Sequence, residues 1–190
     1  MCGRYYIPGE DDELEAMIAA IKQEGRAKTG EIFPADAVLA LDAQGKPALM
    51  RWGFSRYDGK GLTINARSET AGEKSMFARL LRESRCLLPA GGYFEWRDMG
   101  GAKKQKYAIS QMGRTTLYMA GLYRMEAGGE LPSFVILTRP AAPGLAHIHN
   151  RMPVILPAAA RALWLGGGEA GEVFGMAGAE LVPFTLCQAP

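Results

Sequence analysis

Hydrophobic positions along the chain switch between a helical and a strand spacing. Over 11–24, Leu14, Met17, Ile18 and Ile21 recur on one face, with Asp11, Asp12 and Glu13 at the positive end of the helix dipole. Residues 30–36 read as a loop around Pro34, and 37–41 and 48–54 as strands paired across a turn at 42–47. Residues 62–67 read as extended. Thr70 and Glu73 then have the capping-box spacing, and Met76, Phe77, Leu80 and Leu81 give a second helix its apolar face. Strand-like runs follow at 86–88, 92–96, 106–110, 116–123 and 134–138, with glycine pairs at 100–101 and 128–129 in the connections. Residues 152–156 form a short strand, Pro157 opens a helix over 158–165, glycines break the chain at 166–168, and 181–186 form a last strand. The pattern predicts an α+β fold, a single domain over 1–190, with a strongly curved, mostly antiparallel, barrel-like sheet flanked by helices.

Composition narrows the function. The chain has 190 residues, 48% hydrophobic and 22% charged, and can bury a sizeable core. No apolar run approaches the ~18 residues of a membrane span. The polar start lacks a hydrophobic leader, so a cytoplasmic address is expected. Three cysteines, Cys2, Cys86 and Cys187, make no disulfide framework, and the last two read as small packed residues. A net charge of +2 argues against coating duplex DNA through bulk charge and leaves room for a local Arg-lined groove.

Candidate chemistry begins at Cys2. Removal of Met1 would leave a 1,2-aminothiol, whose amine and thiol titrate near pH ~8 and ~8.5. Such a pair condenses with an aldehyde to an imine, and the thiol then closes a five-membered thiazolidine ring with the advantage of an intramolecular step. Asn65, Arg67 and Glu69 alternate along an extended segment, where an amide can orient a substrate oxygen and a guanidinium can hold phosphate. Glu95 stands between Phe94 and Trp96. Either it faces solvent while the aromatics face the core, or it is buried with a raised pKa and can carry protons at neutral pH. Thr138-Arg139-Pro140 is a further polar island. His147 and His149 are the chain's two histidines, and on a strand they would point one way. Without Cys-x-x-Cys or a further His the metal reading is weak, which leaves a proton shuttle beside Arg151 or a structural histidine.

Taken in order, Met1-Cys2-Gly3-Arg4-Tyr5, Trp52-Gly53-Phe54, Asn65-Ala66-Arg67-Ser68-Glu69-Thr70, Gly92-Tyr93-Phe94-Glu95-Trp96 and Ile148-His149-Asn150-Arg151-Met152-Pro153 carry a resemblance. From residue 1 to about residue 165 the chain resembles the SRAP family (SOS response-associated peptidase), the abasic-site shielding proteins. The resemblance implies that Cys2, freed of Met1, crosslinks to the aldehyde of an abasic site in single-stranded DNA. By the same resemblance Asn65 positions the reacting terminus, Glu95 shuttles protons, and His149 assists sugar opening and crosslink reversal. Arg4, Trp52, Arg67, Thr138 and Arg151 are implied in DNA binding. The family's peptidase label implies self-cleavage before Cys2, although an aminopeptidase would serve for one Met. No cofactor or metal is expected, and the expected state is a monomer with no membrane partner.

The chain departs from the family pattern at several places. Glu31-Ile32-Phe33-Pro34 stands where the family has Asn-x-Ala-Pro, and a carboxylate there would repel phosphate. The loop Ser55-Arg56-Tyr57-Asp58 is short and leaves base stacking to Tyr57, and the chain stops at Pro190, short of a further Asn-bearing segment. Amino-terminal-cysteine glutamine amidotransferases also begin Met-Cys-Gly, but their Asn-Gly and Gly-Asp motifs do not occur here. A thiol peptidase pairing Cys2 with His149, and a non-catalytic single-strand DNA-binding module, are the remaining alternatives.

Overall fold

A five-stranded sheet, a seven-stranded sheet and a two-stranded hairpin share the chain, and one of the crossings between the two large sheets is made at Gly91 and Gly92. The computed structural model describes residues 2–9, 11–21, 25–101, 103–179 and 184–188; the expected helix end at 22–24 and the strand start at 181–183 lie outside them. In chain order the first elements are β1 (Arg4–Ile7), α1 (Asp12–Ala20), β2 (Gly30–Ile32), β3 (Ala37–Leu41), β4 (Pro47–Trp52), β5 (Phe54–Ser55), β6 (Leu62–Thr63) and β7 (Asn65–Arg67). Two short helices, α2 (Ser75–Ala78) and α3 (Leu80–Glu83), lead to β8 (Arg85–Ala90), β9 (Gly92–Arg97), β10 (Gln105–Gln111), β11 (Leu117–Arg124) and β12 (Ser133–Pro140). The chain continues through β13 (Arg151–Pro153), α4 (Ala158–Leu165), α5 (Ala170–Ala179) and β14 (Phe184–Gln188).

Strands β11, β8, β3, β4 and β12 follow one another in a sheet, and β12 pairs back with β11, which closes a five-stranded barrel. All its pairings are antiparallel except β12 with β4. The second sheet, in the order β14-β10-β9-β1-β2, is antiparallel throughout. The expected α+β fold with a curved, barrel-like sheet is therefore what forms.

Two glycine positions set up the site. Gly53 follows β4 at φ +111°, where an added Cβ would lie 2.9 Å from Leu62. The chain leaves β12 there, makes the β5–β6 hairpin, and returns beside β12 as β7, with Asn65 opposite Ile136. Gly92 opens β9 so close to β10 that a Cβ would meet the Ile109 carbonyl oxygen at 2.5 Å. That approach carries the chain from barrel to second sheet with Glu95 a few residues further on.

The core follows the strand alternation. Cys2, Tyr5, Ile7, Trp52, Tyr93 and Phe134 belong to one buried cluster, and Phe54, Phe77, Leu137 and Trp164 to another under the helices. Both faces of β8 are covered, and its Arg85 is buried against helix ends, donating to the carbonyls of Leu81 (2.5 Å), Trp164 (3.2 Å) and Gly168 (2.7 Å). Asp11 caps α1 by accepting from Leu14 N–H at 3.1 Å.

Several local expectations change. Part of the loop read at 30–36 is strand β2, because pairing with β1 buries Ile32 against Tyr5 while Pro34 lies beyond the strand end. The helix read at 70–81 is a turn followed by α2 and α3; helix begins only at Ser75, so the Thr70–Glu73 spacing caps nothing. Helix α5 was not expected from a stretch holding Gly171 and Gly175. It is held by the buried Val173, by Phe174 against Trp164 at 5.8 Å, and by Glu169 accepting from Glu172 N–H at 2.7 Å. Cys86 is packed as expected, but Cys187 is exposed.

Candidate active site

Cys2 reaches the site from the start of β1. It has no exposed surface, and its Sγ donates weakly to the Arg4 carbonyl at 3.7 Å. Burial pushes the thiol pKa up, and the nearby Glu95 carboxylate pushes it further. From the barrel side, the Asn65 Nδ2 donates to the Cys2 carbonyl at 2.9 Å. Asn65 sits on β7 with Ala66 turned into the core and Arg67 exposed, as the alternation of an extended strand requires.

Glu95 comes from β9. Pairing of Arg4 with Phe94 and of Tyr5 with Tyr93 sets β9 beside β1, with Glu95 next in line. Tyr93 and Glu95 take the buried face, while Phe94 and Trp96 are half-buried on the other, the reverse of the alternative in which Glu95 meets solvent. Glu95 is 3% exposed, and burial raises its carboxyl pKa against the opposing influence of His149.

His147 and His149 lie in and just after a turn over 143–148 rather than on a strand, so their rings are not aligned: His147 is exposed and His149 half-buried. His149 Nδ1 accepts from the Arg151 backbone N–H at 3.0 Å, which in the neutral ring leaves the proton on Nε2. Among the described residues, no cluster of three or more His, Cys, Asp or Glu side chains could hold a metal ion.

Around this cluster lie the expected DNA-binding residues. The Arg151 guanidinium forks onto both Glu69 carboxylate oxygens, and its Nη2 donates to the Thr138 carbonyl (2.7 Å) and Oγ1 (3.2 Å). Those hydrogen bonds hold the Glu69 pKa down at about 2. Thr138 has no exposed surface, so it braces Arg151 instead of presenting a hydroxyl to DNA. Trp52, too, is withheld from DNA. It is fully buried, edge-on to Tyr5 at 5.2 Å and stacked on Phe134 at 6.3 Å, and its Nε1 donates to the Ile64 carbonyl at 3.0 Å. It packs the core beneath Cys2 and Asn65 and offers no stacking face.

Arg4 points to the other face of β1, over the rings of Phe33 (4.6 Å) and Trp96 (5.0 Å). Glu31 bridges Arg4 and Lys106, each at 3.3 Å, so the departure from the family pattern carries its own counter-charges. Lys106 was not singled out from the sequence, although Lys103, Lys104 and Lys106 beside Trp96 are a visible basic run; they line an open groove with Arg4 and Met99. Tyr57 is fully exposed between β5 and β6.

The structure thus brings Cys2, Asn65, Glu95 and His149 to one place, with Arg4, Arg67 and Arg151 outside it and Trp52 and Thr138 beneath. Among the described residues no helix is long and apolar enough to cross a membrane.

Comparison with known proteins gives this geometry a family. The chain is 36% identical over 189 residues to the abasic site processing protein YedK of Escherichia coli, covering 91% of this chain and 85% of that protein. It is 29% identical over 179 residues to the abasic site processing protein YoqW of Bacillus subtilis, covering 87% and 80%. A solved structure of a Bacteroides thetaiotaomicron protein superposes with a TM-score of 0.81 at 22% identity, covering 98% of this chain and 92% of that one, which supports the fold alone. A sequence profile of the SOS response associated peptidase (SRAP) family matches residues 1–177, and the chain belongs to that family.

Proposed function

We propose that this protein captures abasic sites in single-stranded DNA as a covalent thiazolidine on Cys2. Loss of Met1, by self-cleavage or an aminopeptidase, frees the Cys2 amine. The amine adds to the aldehyde of the ring-opened sugar, and the resulting carbinolamine loses water to give an imine. The thiol then adds across the C=N bond, and its proton is carried to the nitrogen side. Reversal runs the same steps backwards.

The observation that carries this reading is the Asn65 amide on the Cys2 carbonyl, made beside a buried Glu95. A bond to the carbonyl fixes the residue bearing both nucleophiles without occupying either of them. Glu95, its pKa raised by burial, holds a proton further toward neutral pH than an exposed carboxylate and can give and take it through imine formation and ring closure. His149 accepts Arg151 N–H at Nδ1, so Nε2 is the ring nitrogen that exchanges protons at the sugar. Arg4, Arg67 and Arg151 hold flanking phosphates, with Thr138 setting the direction of Arg151. The names of the relatives, abasic site processing proteins, agree with this chemistry. The working form is a monomer.

Intact-mass analysis of Met1-free protein with an abasic oligonucleotide tests the reading. The product should weigh the sum of the two less one water, with the added mass on the peptide bearing Cys2. Salt-sensitive binding without a covalent product would instead support a non-catalytic single-strand binder.

A further inference from the structure

Two phenols at the heart of the site have no role in the scheme above. Tyr5 and Tyr93 are directly opposed across β1 and β9, both fully buried, in the same core cluster as Cys2. Their rings are well packed, and Tyr5 sits edge-on against Trp52. Their hydroxyls are not accounted for: neither has a hydrogen-bond partner among the described residues, and the buried Asn65 Oδ1 nearby also has none. A buried phenol normally finds a partner, and an apolar ring would fill the same space without the cost of stranding a donor. Two unspent O–H donors on adjacent strands, beside a buried thiol, suggest a group that needs them only during reaction.

That group is the sulfur. Ring closure needs a thiolate, and the surroundings of Cys2 resist one, through burial first and the Glu95 carboxylate second. The groups facing it are Glu95 and Tyr93 from β9, Tyr5 from β1 and the neutral Asn65 from β7, joined by the residue's own α-amine once Met1 is gone; His149 acts on Glu95. Of the side chains in this set only the tyrosines offer an uncommitted neutral O–H. We infer that Tyr93, paired with Tyr5, is a positioning residue whose hydroxyl donates to the Cys2 sulfur as it becomes the thiolate that closes the ring. This rests on the thiazolidine reading. In that step the thiol proton passes to the Glu95 carboxylate, the C–S bond forms, and the C=N electron pair moves to the iminium nitrogen, which becomes a neutral amine. The phenols lose no proton, in keeping with pKa values raised well above the usual phenol range by burial.

The test uses Tyr93→Phe and Tyr5→Phe, which keep the rings, in Met1-free protein. Alkylation of Cys2 by iodoacetamide is followed across pH by peptide mass, with the exposed Cys187 as internal reference. Tyr93→Phe should lower the Cys2 rate near pH ~8 about tenfold and move its pH profile upward, with Cys187 unaffected and a smaller effect for Tyr5→Phe. With abasic DNA the variants should still form a borohydride-trappable imine and accumulate it. An unchanged Cys2 profile in both variants overturns the inference. So does equal slowing at every pH, which would mean altered access. A shifted profile in a protein whose wild type never crosslinks would sink the thiazolidine reading and leave the donor role standing.

Discussion

The Asn65 side-chain nitrogen lies 2.9 Å from the Cys2 carbonyl oxygen, tying β7, which pairs with the barrel strand β12, to the residue that leads into β1 of the other sheet. In the proposed reaction this bond orients Cys2 across the joint between the sheets. Asn65→Ala should therefore slow crosslinking about tenfold or more while the protein stays folded, since the lost bond is worth about 1 kcal/mol in stability and misplacement costs far more in rate. Single-turnover crosslinking beside a thermal melt checks both halves; a full-rate Asn65→Ala protein would remove this role.

Glu95 makes two predictions of opposite sign. Its raised pKa means that the folded state binds the proton more tightly than the unfolded state, so the stability linked to it is complete below the ordinary carboxyl pKa of ~4.3 and falls as pH rises through the folded value. Glu95→Gln should thus melt higher than wild type at neutral pH, with the difference shrinking toward pH ~4. The same variant should crosslink about a hundredfold more slowly with DNA binding near normal. A variant that is both less stable at neutral pH and fully active would contradict the buried-carboxylate account.

In the proposed scheme His149 separates formation from reversal. His149→Ala should leave crosslink formation within a few-fold of wild type and slow release of DNA from the purified adduct by roughly tenfold or more. Release kinetics followed by denaturing gel decide the point, and unchanged release would remove His149 from the reversal step.

Glu31 offers a test of the outer face. It lies between Arg4 and Lys106, so Glu31→Gln should free both cations for phosphate, tighten binding to single-stranded oligonucleotides several-fold, and steepen the salt dependence. Titrations at several salt concentrations would show it; weaker binding would mean that the carboxylate organises the cations rather than screening them.

The strands were legible as short continuous apolar runs bounded by turn residues, as in β11 and β12, which are buried on both faces along most of their length, and Pro157 marked the start of α4. What failed was what depends on distant partners. Nothing near Ile32 announces β2, which exists because β1 offers an edge. The face taken by Glu95 could not be read locally, since Tyr93, Phe94 and Trp96 are all aromatic; the pairing of Tyr93 with Tyr5 decides it. Trp52 belongs to a motif implied in DNA binding, yet in the fold it supports the site from beneath. Asn65 and Glu95 stood out as polar residues in extended segments, whereas the bracing of Arg151 by Glu69 and Thr138 needed three dimensions.

The central claim is that Cys2 itself makes the covalent bond. Met1-free wild type and Cys2→Ala proteins, each mixed with a single-stranded oligonucleotide carrying one abasic site and run on a denaturing gel, test it most directly. The account predicts a heat-stable shifted band for wild type and none for Cys2→Ala, with both proteins folded. A shifted band of equal intensity from Cys2→Ala, or none from wild type with Met1 verifiably absent, would contradict it.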